Sequence, residues 1–212
     1  MSEERSWARL VDRRTANRGD QRRQALLTAF EELLAEQSLD EVKVADISSR
    51  AGVTRSAFYF YFENKAVAVT ALMSDLYDDT SEATDLLVKA EGEPEQRLRH
   101  VITTLFDAVD RTHHTYRALL QARATSAQVR DIWEAGRAEF ASMVAEMITR
   151  ERAVGNAPAG PEAGPLASVL LDLNDHALER HALDVGPERE QRIDVLTHIW
   201  LSSIYQRPGS TS

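Results

Sequence analysis

The chain contains no cysteine. Disulfides, zinc–thiolate centres and thiol nucleophiles are thereby excluded, and the composition suits a reducing cytoplasm. No stretch approaches the run of about 18 apolar residues that a membrane span requires. The opening residues, MSEERSWARLVDRRTANRGD, lack the apolar centre of a signal peptide, so Arg13-Arg14 is not a twin-arginine export signal. A cytoplasmic protein with no membrane contact is expected. The histidines assemble no metal site: His113 and His114 are adjacent and diverge on a helix, and His176 and His181 miss the i, i+4 ligand spacing. There is no nucleophile–base motif, phosphate loop or pair of facing carboxylates. No catalytic residue, metal or cofactor is expected, and an enzyme is disfavoured.

Charge is present but uneven. The chain of 212 residues has a formal net charge of -9, which argues against a protein that coats nucleic acid indiscriminately. Residues 5–23 nevertheless carry seven arginines (Arg5, Arg9, Arg13, Arg14, Arg18, Arg22 and Arg23) against Asp12 and Asp20. Residues 71–212 carry 14 basic and 23 acidic side chains, so the negative excess lies there. A basic front on an acidic body is what results when one end meets phosphate and the other does not. A basic arm that merely precedes an acidic domain gives the same arithmetic.

The hydrophobic pattern is helical from Asp20 onward, and no credible strand appears. DQRRQALLTAFEELLAEQ places apolar residues at 26, 27, 30, 33 and 34, the stripe of an amphipathic helix, with Asp20 as its N-cap. A short helix is expected at about Ala45 to Ala51, and a long one from Asn64 and Lys65 to about Ala90. Pro94 opens another, a short one surrounds HTYRALLQARA, and Thr125 or Ser126 caps the next. GNAPAGPEAGP, residues 155–165, reads as a connection rather than a domain boundary. Pro165 and Gly186-Pro187 lead the last two helices, for about nine in all.

Five consecutive aromatics, Phe58 to Phe62, interrupt this pattern. Strict alternation would suit a strand, but the preceding residues decide otherwise. In VADISSRAGVTRSAFYFYF, small Ser48 allows two short helices to approach. Gly52 permits a turn with positive φ, and Ile47, Val53 and Phe58 fill a shared core. Thr54 is then the N-cap of a second helix from Arg55 to about Phe62. Phe58 and Phe62 align as core, leaving Tyr59, Phe60 and Tyr61 around the remainder. This is the pattern of a helix-turn-helix, whose second helix presents its N-terminal residues, here Arg55, Ser56 and Ala57, to base edges in the major groove; the alternative is that Arg55 is a solvated arginine and the tyrosines are core or rim.

VADISSRAGVTRSAFYFYFENKAVAVTALM resembles the DNA-binding domain of the TetR family of bacterial repressors. Ile47, Ala51, Gly52, Val53, Tyr59, Phe62 and Lys65 fall on that family's motif. The resemblance implies a two-domain, all-α homodimer that binds a palindromic operator and releases it when a small molecule binds. It further implies base contacts at Arg55, Ser56 and Phe60 and phosphate contacts at Tyr59, Tyr61 and Lys65. The helix N-terminus at Lys65 itself favours an anion. Tyr61 replaces the usual histidine, and Lys43 and Val44 stand where a capping hydroxyl is frequent. The implied division is a basic arm at 1–19, a DNA-binding domain at 20–66, a ligand-binding and dimerisation domain at 67–206 and a tail at 207–212.

In the C-terminal half, ARATS, Trp133, LND and HIWLSSIY are similar to the EthR-like branch of that family, which has a deep, mainly apolar pocket. Trp133, Phe140, Val144 and Met147 share one helical face, as do Ile193, Leu196, Trp200 and Ile204. Asn174 lies on the apolar face of Leu170, Leu171, Ala177 and Leu178. A buried Asn must find a partner, which is backbone, water or a ligand carbonyl. The branch places ligand contacts at Asn174 and Trp133, so Trp133, Phe140, Asn174 and Trp200 form the candidate effector site. Leu98, Leu105 and Leu171 make the pocket aliphatic where the branch differs, so its shape and ligands differ too. The resulting expectation is a ligand-responsive, DNA-binding repressor with a small hydrophobic effector. The rival is an all-α hydrophobic-ligand-binding protein or enzyme that does not act through DNA.

Overall fold

The computed structural model describes residues 18–73 and 92–205. Among these, every regular element is a helix: α1 (Arg18–Glu36), α2 (Val44–Arg50), α3 (Arg55–Tyr61), α4 (Lys65–Leu72), α5 (Pro94–Arg111), α6 (His113–Thr125), α7 (Ala127–Ala153), α8 (Ala163–Ala182) and α9 (Arg189–Tyr205). The all-α architecture expected from the sequence is the one observed. The seven-arginine arm lies largely outside the described residues, and so does most of the helix expected to run on to Ala90.

Local chemistry sets the helix ends. Thr54 Oγ1 accepts from the Ala57 amide at 3.3 Å and Asn64 Oδ1 from the Val67 amide at 2.9 Å, giving α3 and α4 side-chain N-caps. Ser126 Oγ does the same for the Val129 amide at the start of α7. Two starts differ from expectation. Helix α1 begins at Arg18, so Asp20 is not its cap but lies in the first turn, where a carboxylate favours the positive helix end. Helix α8 begins at Ala163, and Pro165 sits in its first turn, where a missing N–H costs nothing.

The chain divides into two compact units. The first comprises residues 1–75 and 112–136, the second 76–111 and 137–212, and α7 contributes to both. In the first, α1 contacts α2, α3, α4 and α6. Its core is made by Leu26, Phe30 and Leu33 of α1, Ile47 of α2, Phe58 of α3, Val69 of α4 and Tyr116 and Leu119 of α6, all buried. In the second unit, α5 packs on α8 and α9. Leu98, Ile102 and Phe106 meet a core that includes Val144, Met147, Ile148, Leu170, Leu178, Ile193, Leu196 and Ile204. Each such side chain contributes roughly 1.5–3 kcal/mol by leaving water.

Candidate functional site

The turn between α2 and α3 is built as its sequence requires. Gly52 has φ +67°, the left-handed conformation that ends a helix without Cβ strain. The Val53 amide donates to the Ser48 carbonyl at 2.9 Å and the Gly52 amide to the Ser49 carbonyl at 3.1 Å, closing the end of α2. Helices α2 and α3 pack together, with Ser48 3% exposed and Ile47 and Phe58 fully buried. Arg50 fastens α2 to α1 through a two-pronged pair with Glu36 at 2.7 and 2.9 Å. That bond raises the Arg50 pKa and lowers that of Glu36.

With its inner face anchored, α3 turns large apolar surface outward. Phe60 is 80% exposed and Tyr59 48% exposed. The Phe60 and Tyr61 rings meet edge to face at 4.9 Å, which holds the exposed ring in place. Arg55 lies 5.6 Å from the Tyr59 ring centroid, and its Nη2 donates to the Tyr59 hydroxyl at 3.3 Å. Ser56 shares a hydrogen bond of 2.9 Å with Thr54 Oγ1. Arg55, Ser56, Tyr59 and Phe60 are thus exposed together on one short helix. Arg23 of α1 stands 5.5 Å from the Phe62 ring, and burial lowers its pKa.

Lys65, where the resemblance implies a phosphate contact, begins α4 and reaches back across the domain. Its Nζ donates to the carbonyls of Leu39, Asp40 and Val42 at 2.5, 3.1 and 3.0 Å. An ammonium has three donors, so all are spent on the turn that joins α1 to α2. Helix α2 itself begins after Lys43 with no side-chain cap.

Of the four residues expected at an effector site, the structure pairs two. Trp200 Nε1 donates to Asn174 Oδ1 at 3.1 Å, with both residues buried, at 3% and 4% exposure. The partner that Asn174 needs is therefore a side chain of α9, which sequence reasoning did not foresee. Phe140 lies half-buried on α7 in the second unit. Trp133 belongs to the first unit, where the Arg123 guanidinium stands 4.8 Å over its ring. Among the described residues no group of three or more His, Asp or Glu could hold a metal ion, and no helix is long and apolar enough to cross a membrane.

Residues 26–71 match the family profile of bacterial regulatory proteins, tetR family, and residues 98–206 match that of the transcriptional regulator EthR, C-terminal domain. Over 198 residues the chain is 33% identical to the HTH-type transcriptional regulator EthR of Mycobacterium tuberculosis, spanning 91% of this chain and 92% of that protein. The chain belongs to the TetR family. Within it the EthR branch is the match: the EthR of Mycolicibacterium smegmatis is 31% identical over 190 residues, 88% of each chain. TetR-family structures share the fold. Thermus thermophilus FadR, solved in complex with lauroyl-CoA, superposes with a TM-score of 0.69 at 20% identity, covering 90% of this chain and 98% of that one. SmeT, solved with triclosan, gives 0.65 at 18% identity over 88% and 93%.

Sequence reasoning missed one buried polar cluster in this TetR-family chain. Arg97 Nη2 of α5 lies 3.5 Å from Glu151 Oε2 of α7 and 3.4 Å from the Tyr205 hydroxyl of α9. Glu151 is 1% exposed. The signal was in the sequence: Glu151 falls four residues beyond Met147 and so continues the apolar stripe of α7.

Proposed function

We propose that this chain is a transcriptional repressor that binds a palindromic operator as a homodimer and lets go when a small hydrophobic molecule binds its C-terminal domain. The observation that carries the reading is the two-faced helix α3, with Phe58 fully buried and Phe60 80% exposed. A soluble fold rarely leaves such a ring in water beside an arginine unless a partner covers it. In this reading Arg55 and Ser56 meet base edges and Phe60 packs on a thymine methyl, while Tyr59 and Tyr61 reach phosphates. Lys65 serves the same surface by bracing the turn beneath it, and the arm at residues 1–19 adds salt-dependent affinity.

Dimerisation is assigned to α8 and α9, which expose Val169, Leu173 and Val195. Two copies paired there would set the recognition helices about 34–36 Å apart, one turn of DNA. The effector is assigned to the surroundings of Asn174, Trp200 and Phe140 in residues 67–206. A ligand that favours a different spacing opposes DNA with one shared coupling energy. The protein acts in the cytoplasm, without catalysis of its own.

Lauroyl-CoA and triclosan, found with the two neighbouring folds, are ready probes. Either should change the fluorescence of Trp200 and lift the protein's footprint from DNA upstream of its own gene. The reading fails if compounds that demonstrably bind leave the footprint unchanged. The rival, a hydrophobic-ligand protein that ignores DNA, predicts ligand binding with no footprint at all.

A further inference from the structure

The segment joining α8 to α9 lies beside two arginines, Arg180 and Arg192, for which no ion pair with an acid is found among the described residues. Arg192 of α9 is 8% exposed. Its Nη2 donates to the Val185 carbonyl, while its Nε is sealed from solvent with no acceptor. Arg180, in the last turn of α8, is half-buried, and its side chain makes no hydrogen bond or ion pair among the described residues. Both guanidiniums converge on Gly186, whose φ is +102°. A Cβ there would lie 3.1 Å from Arg192 Nη2 and 3.6 Å from Arg180 Nη2. The absence of a side chain at this glycine therefore lets two positive groups approach the same stretch of backbone.

Burial lowers the Arg192 pKa, the charge of Arg180 lowers it further, and no carboxylate acts in the opposite direction. Asp184 and Glu188 of the joining segment are exposed. A buried cation persists when it is paired and its donors are met, and a guanidinium fork matches the oxygens of an oxyanion better than any other side chain does. We infer that the α8–α9 joint binds a small oxyanion through Arg180 and Arg192 beside Gly186. The shared chemistry is two or more negative oxygens, supplied by inorganic phosphate or sulfate or by a carboxylate head group. Neither Asn174 nor Trp200 takes part, so this site is separate from the apolar one.

Thermal unfolding of the full chain tests it, in phosphate, sulfate or acetate against chloride at matched ionic strength. A ligand of the native state alone raises Tm with the logarithm of its concentration, by roughly 3–5 °C per tenfold once the site is saturated. Wild type should show that rise. Arg180→Gln should lose it without a large drop in starting Tm, since this guanidinium holds nothing else, and Arg180→Lys should regain part. A response to phosphate and sulfate alone assigns a tetrahedral anion, and one to acetate alone a carboxylate head group. The inference is overturned if wild type responds to oxyanions no more than to chloride, or if Arg180→Gln keeps the full rise. No DNA enters the readout, so its failure leaves the repressor reading standing.

Discussion

Lys65 has a structural task that can be separated from any contact with phosphate. Its three donors hold the carbonyls of Leu39, Asp40 and Val42, and removing it strands acceptors in a part-buried turn. Lys65→Met should lower stability by about 1–3 kcal/mol, measured by urea unfolding. The slope of DNA affinity against log salt should stay unchanged, whereas a phosphate contact would lower that slope by about one. The Trp200–Asn174 bond makes a second test at this scale. Asn174→Leu leaves a buried indole N–H without an acceptor and should cost about 1–3 kcal/mol. Adding Trp200→Phe removes the orphan, so a double-mutant cycle should return a coupling of at least about 1 kcal/mol.

Among the helices, the Arg97–Glu151–Tyr205 cluster ties α5, α7 and α9 together, and it carries a pH signature. Burial, with Glu151 adding to it against Arg97, pushes the Tyr205 phenol up to about 12. A phenol whose folded pKa exceeds its unfolded value of about 10 stabilises the fold fully below that value. Its contribution is lost as pH rises from about 10 to about 12. Tyr205→Phe should therefore flatten the fall in Tm across that window relative to wild type. Most of the described helices and the Thr54 cap were legible from sequence because Thr54, Gly52 and the apolar stripes act locally, whereas Asp20 proved to lie inside α1 rather than at its cap. The Arg97–Glu151 pair and the Lys65 cap were not, since each joins residues far apart in the chain, at 54 and 23 to 26 positions. Of the candidate site, the exposed face of α3 was readable from its period. The indole that answers Asn174 was not, because periodicity fixes the face of a residue and not its partner.

The whole molecule is a TetR-family chain whose acidic body follows an arginine-rich beginning. Its proposed mode of action requires two copies. Val169, at 56% exposure, and Val195, at 57%, lie on the two helices assigned to that contact. Val195→Glu places a charge where a partner would exclude water, yet costs a monomer within about 0.5 kcal/mol as a surface change. Light scattering should show wild type at twice the chain mass and the variant at one, with operator binding lost alongside.

The most direct measurement is fluorescence anisotropy on a duplex that the protein itself selects from a randomised pool, compared with a scrambled duplex at two salt concentrations. The account predicts a palindrome bound by two protomers. Arg55→Ala should lose about 1–3 kcal/mol on that site, roughly five- to 150-fold in affinity, with little change on scrambled DNA. Wild-type protein that enriches no sequence, and binds both duplexes alike at both salts, would contradict it.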